Sequence, residues 1–187
     1  MPIKKYSKVK FTLRKELLFI LAAIVIMVVA TILLQLPSKE EKFNKKWNLQ
    51  DNMLYKEVSI NDLDNVLEDK KATDTVFVLF VLPKDSATST HLTLIETIAE
   101  EFDVKRVYLV DATFATKGDR EIDDKFNEKL EKIENQFTNS DDVTITLDNV
   151  PNFWAFQDSK LVKEINQDKI EAEGDWYSAA IEVFSAK

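Results

Sequence analysis

Cysteine is absent from all 187 residues. That excludes disulfides, thiol catalysis, cysteine-ligated metals and a lipid anchor on an N-terminal cysteine. Histidine occurs once, as His91, and glycine only twice. No internal repeat and no low-complexity tract is present. The glycine-poor style, rich in Lys, Asn, Ile and Phe, suggests a bacterium with a single membrane. The chain also lacks a basic face outside its first residues. Lys4, Lys5, Lys8, Lys10, Arg14 and Lys15 against Glu16 give residues 1–16 a net +5, so the formal −8 of the whole leaves −13 for the remainder. An acidic body repels phosphate backbones, and no nucleic-acid partner is expected.

What is present is a long apolar run. Leu17 to Leu36 are twenty residues without a charge, with only Thr31 and Gln35 polar. At a rise of about 1.5 Å each they span roughly 30 Å, the thickness of a bilayer core. A cleaved signal peptide ending at Val28-Val29-Ala30 is the competing reading, but the run continues six residues past Ala30, which favours an anchor. The basic tail ahead of it puts the N-terminus in the cytoplasm and the body outside. The expected organisation is a cytoplasmic tail (1–16), a single transmembrane helix held in the lipid bilayer (17–36), a charged linker (37–52) carrying Phe43 and Trp47, with Trp47 either at the lipid interface or docked on the domain, and one extracytoplasmic domain (53–187).

Within that domain Val76 to Leu82 are seven consecutive apolar residues closed by Pro83. This is the pattern of a central strand buried on both faces. Tyr55–Val58 reads as a short strand. Ser59 and Asp62 resemble a capping box for a helix to about Asp69. Leu92, Ile95, Ile98, Ala99 and Phe102 fall on one helical stripe. Val104–Val110 is the next strand, ending at Asp111. Ile122, Phe126, Leu130, Ile133 and Phe137 give a long amphipathic helix from about Asp119. Val143–Leu147 is a short extended segment. Phe153–Phe156 and Leu161–Ile165 form a hairpin, and Trp176, Ala180 and Val183 share one face of a last helix. Strands alternating with helices imply an α/β fold, a mixed sheet covered on both faces.

Two local features and this element order resemble the thioredoxin family over roughly 53–187. Ser86-Ala87-Thr88-Ser89 stands where thioredoxins carry Cys-x-x-Cys, at the start of the helix after the central strand. Val150-Pro151, ahead of the hairpin, resembles the family's cis-proline. In layout the chain is similar to small membrane-anchored or exported thioredoxin-like proteins, including bacteriocin-transport accessory proteins. The resemblance implies a thioredoxin-like domain whose redox chemistry is lost, because a serine hydroxyl cannot replace a thiolate. It also implies a binding site in which the Val150 backbone pairs with an extended peptide while Ser86, Ser89 and Pro151 flank it. No cofactor and no metal are expected. The expected partner is an exported peptide or a membrane protein of an export assembly.

Plainer accounts stand beside this. Ser, Thr and Asp are common helix caps, so Ser86 to Ser89 reads equally as an N-cap. His91 with a loop serine and Asp85 offers a formal triad for a hydrolase, without a nucleophile elbow or an oxyanion motif. Asp119, Glu121, Asp123 and Asp124 lack the alternation and central glycine of a calcium loop, and suit the first turn of a helix. Asp111 ends a strand where α/β sheets bind ligands, or where a turn needs a cap. The domain could also be a spacer, with the apolar helix doing the binding.

Overall fold

Strand β2 (Val76–Val81) lies in the middle of a five-stranded sheet of order β1-β3-β2-β4-β5. The computed structural model describes residues 15–50, 54–68, 75–83, 85, 87–115, 124–137, 149–173 and 175–186. They fall in two units, Met1–Lys39 and Glu40–Lys187.

The first unit contains helix α1 (Lys15–Gln35). Its large apolar side chains are exposed from Leu17 to Leu33, and the one hydroxyl among them, Thr31, donates to the Met27 carbonyl at 2.8 Å. Among the described residues no helix is long and apolar enough to cross a membrane.

In the second unit β1 (Tyr55–Glu57), β3 (Val107–Asp111) and β2 run parallel. Strand β4 (Asn152–Gln157) pairs antiparallel with β2, and β5 (Lys160–Asn166) with β4. The expected mixed sheet is therefore present. Period-two alternation feeds two cores. Phe77, Leu79, Val81, Phe153 and Ala155 face α4 (Thr88–Glu101) and α7 (Trp176–Phe184), whereas Val78, Phe80, Trp154 and Phe156 face α3 (Leu63–Leu67) and α5 (Asp124–Phe137). Phe153 and Trp154 are both fully buried, one in each layer. Helix α6 (Gln167–Glu173) follows β5.

Four boundaries differ from the expectation. The segment 37–52, read as a linker, contains helix α2 (Lys39–Trp47), and Trp47 is 0% exposed in the same core as Leu92 and Leu109. Phe43 and Trp47, one turn apart, present the only apolar edge of α2, with ring centroids 6.3 Å apart. Asn48, at φ 54°, closes the helix as Leu49 N–H reaches the Asn44 carbonyl at 2.9 Å. Helix α3 is shorter than expected because the Ser59 hydroxyl donates to the Asp62 carboxylate at 2.6 Å, so no capping box forms. Strand β1 stops at Glu57. Strand β3 begins at Val107, since Val104 N–H is spent on the Ala99 carbonyl at the end of α4. The expected extended segment 143–147 and the start of the helix at 119–123 lie outside the described residues.

Trp47 generates a test. In the full-length protein, Trp47→Ala is expected to lower unfolding free energy by about 3–5 kcal/mol, the usual cost of emptying a buried aromatic site. Urea unfolding monitored by circular dichroism measures it. A solvated linker would leave the midpoint unmoved.

Candidate functional site

The register of the sheet brings Val150-Pro151 and Asp111 to one edge. Phe80 pairs with Asn152, so Val150-Pro151 arrives beside the C-terminal end of β2, while Val81 pairs with Asp111 on the other side. The Val150–Pro151 peptide is cis, and both residues are buried, Val150 at 8% exposure. Val150 precedes β4 and lies outside its ladder.

The start of α4 is built by Asp85. Asp85 N–H donates to the Leu82 carbonyl (3.1 Å), its Oδ1 accepts from Ala87 N–H (3.0 Å), and its carbonyl accepts from Thr88 N–H (3.2 Å). The buried Thr88 hydroxyl donates to the Leu82 carbonyl at 2.8 Å. The N-cap position falls on Ala87, which has no side-chain acceptor, so Ser89, inside the helix, is not its N-cap. Ser86 lies outside the described residues. Ser89 is half-buried, and its Oγ accepts from Asn48 Nδ2 of α2 at 3.3 Å. Below it the Tyr55 hydroxyl reaches the Leu92 carbonyl at 2.5 Å and ties β1 to α4.

His91 follows one turn into α4, and its ring stacks on Trp176 with centroids 4.9 Å apart. Burial pulls its pKa below the ordinary value against the opposing pull of Asp85. Among the described residues its Nδ1 has no hydrogen-bond partner. A triad histidine needs a ring nitrogen oriented by a carboxylate, so the described residues do not assemble one. Among the described residues no group of three potential ligands could hold a metal ion. Of the acidic cluster, Asp119, Glu121 and Asp123 lie outside the described residues, and Asp124 is the exposed first residue of α5.

Sequence reasoning missed a second cluster at this edge. Lys46 of α2 reaches Glu57 at the end of β1 (2.6 Å) and Asp111 at the end of β3 (2.7 Å). Trp47 Nε1 donates to the other oxygen of Glu57 at 3.4 Å. The Thr113 N–H and hydroxyl hold the other oxygen of Asp111, at 3.1 and 2.5 Å. The signal in the sequence was Asp111 at a strand end; its lysine lies 65 residues upstream on an element read as linker. A cleft of about 370 Å³ opens beside the cluster, walled by Val58, Ile60, Phe114 and Phe126. Burial pushes the Asp111 carboxyl up, but hydrogen bonds from Lys46 and Thr113 outweigh it and leave it below its ordinary value. Burial likewise pulls Lys46 down, and its bonds to Asp111 and Glu57 carry it above its ordinary value.

No family model matches the chain, and no curated protein matches it. Solved structures that it is similar to include thioredoxin f2 of Chlamydomonas reinhardtii, at 14% identity and TM-score 0.39, covering 65% of this chain and 93% of that one. Another is a Plasmodium falciparum thioredoxin, at 14% identity and TM-score 0.40, covering 70% and 96%. The long form of spinach chloroplast thioredoxin f gives 14% and 0.40, covering 68% and 86%. In the body, three parallel strands and an antiparallel hairpin form one mixed sheet flanked by helix layers.

The ion-pair cluster sets a pH window. The lowered Asp111 contributes stability that is present above its unfolded pKa, about 3.9, and is lost as pH falls through its folded value. The raised Lys46 contributes below its unfolded pKa, about 10.4, and loses this as pH rises through its folded value. Asp111→Asn, which keeps the acceptor for Thr113, is expected to cost about 1 kcal/mol near pH 7. That penalty should shrink as pH falls below the unfolded value of about 3.9 and through the folded one, as urea unfolding of both proteins across the range will show.

Proposed function

We propose that the chain is a membrane-anchored, redox-inactive thioredoxin-like domain that holds an exported peptide or protein segment, either alone or as the accessory subunit of a membrane export assembly. The observation that supports this best is the meeting, at one sheet edge, of the α4 start and the Val150-Pro151 approach to β4. Helix amides and off-ladder backbone next to one another are what an extended peptide can hydrogen-bond to. The absence of cysteine removes thiol–disulfide exchange from that edge and leaves binding.

Anchoring rests on the uncharged run Leu17–Leu36, twenty residues. The continuous helix and its exposed apolar side chains fit a lipid environment, in which the Thr31 hydroxyl satisfies itself on its own helix. With +5 in residues 1–16, the tail stays cytoplasmic and the acidic body is extracytoplasmic.

A photo-crosslinking residue at Asp85, an exposed position of this edge, is expected to capture a secreted or membrane-protein segment in native membranes. The same residue at Asp158, in the turn between β4 and β5, is not. The protein should remain in the membrane fraction after alkaline extraction. Equal capture from both positions would refute the site. Loss of capture when residues 17–36 are exchanged for an unrelated apolar helix would make the domain a spacer instead.

A further inference from the structure

The chain has one histidine, and the fold sets its ring where two helices meet. Helix α7 is held at its far end by Phe184, which is fully buried and meets Phe77 and Phe153 edge-on, with ring centroids 4.9 and 5.3 Å away. At its first turn the buried side chain is Trp176, 8% exposed. Its indole stacks on the His91 ring of α4, with centroids 4.9 Å and planes 29° apart. The two ends of α7 therefore dock differently. Among the described residues neither the buried His91 Nδ1 nor the buried Trp176 Nε1 has a hydrogen-bond partner, whereas the Phe184 end is wholly apolar.

A proton changes this joint in one direction. In a neutral imidazole one nitrogen remains a bare acceptor, but in the imidazolium both donate, so a charged N–H is forced into a buried position with nothing to receive it. Stacking on indole returns only about 0.5–1 kcal/mol of cation–π attraction. The charge that reaches the ring is that of Asp85, on the turn into α4. On α7 the carboxylate beside Trp176 is Asp175, which accepts from Ser178 N–H at 2.7 Å; that bond holds it below its ordinary value, so it stays ionised where histidine titrates. Burial outweighs the pull of Asp85 and leaves His91 below its ordinary value. A lowered histidine contributes stability that is whole above its unfolded pKa, about 6.5, and is lost as pH falls through the folded one.

We propose that His91 is a pH-sensitive prop for α7: uncharged, it seats Trp176 and the first turn of α7 on α4, and protonated, it releases that turn while the Phe184 end stays docked. The device goes beyond the peptide reading, because it needs neither Val150 nor the serines.

The test follows the full-length protein in detergent micelles by NMR between about pH 8 and 5. A sole histidine gives one set of ring resonances, and their midpoint is expected below about 6.5. The Trp176 indole N–H should shift with the same midpoint while those of Trp47 and Trp154 stay. The Ser178 and Ala179 amides, which bond to Asp175, should lose protection several-fold as pH falls, after correction for intrinsic exchange, while the Ser185 amide on the Ile181 carbonyl keeps its own. His91→Phe leaves an aromatic ring against Trp176 and should flatten both responses. A histidine midpoint at or above the unfolded value, an unresponsive Trp176 indole, or a response that persists in His91→Phe overturns the proposal. Equal loss of protection at Ser185 also overturns it, because the whole helix would then be unfolding.

Discussion

Everything in the body follows from β2 needing cover on both sides. Five of its six side chains are buried, Phe77 to Val81, and they alternate between two layers. Each such side chain contributes about 1.5–3 kcal/mol when removed from water, so neither face can be left bare. Helices α4 and α7 cover one face, and α3 and α5 cover the other. Parallel pairing with β3 and antiparallel pairing with β4 then carry three chain segments to one rim: the β2–α4 turn, Asp111, and Val150-Pro151. The candidate sites are consequences of satisfying that strand.

Much of this was legible because it is periodic. The unbroken run at 76–82, the stripe Leu92, Ile95, Ile98 and Ala99, and the stripe Phe126, Leu130, Ile133 and Phe137 are local patterns, and local patterns fix which face is buried. The hairpin was legible for the same reason, although its turn was not ordinary: Asp158 and Ser159 both take positive φ where glycine is usual. Helix α2 was hidden. In KEEKFNKKW seven of nine residues are polar or charged, and composition outvoted the single Phe43–Trp47 edge that packs it.

The site was legible in its backbone and not in its side-chain partners. Strand ends and the residue before a proline can be placed from order alone. Which donor meets Asp111 or Ser89 cannot, because Lys46 and Asn48 come from an element outside the sheet and distant in sequence. Ser89 illustrates the difference. Its residue type suggested a cap or a ligand contact, yet it lies inside α4, and its hydroxyl oxygen accepts from Asn48. A short polar side chain at a helix start has many partners of similar energy, so tertiary neighbours decide among them.

The end of α2 shows how magnitudes sort such neighbours. Successive helical residues point about 100° apart, so Lys46, Trp47 and Asn48 fan out to different places. Lys46 goes to β1 and β3, Trp47 to the core, and Asn48, past the helix end, to α4. Only one of the three is an anchor. A fully buried indole outweighs a half-exposed ion pair or a single neutral hydrogen bond several-fold. Trp47 therefore holds the helix in place, and Lys46 and Asn48 exploit the position it fixes. Contacts that are not needed to hold the fold are the ones free to rearrange, and at this rim those are the ion pair and the Asn48 bond rather than the indole.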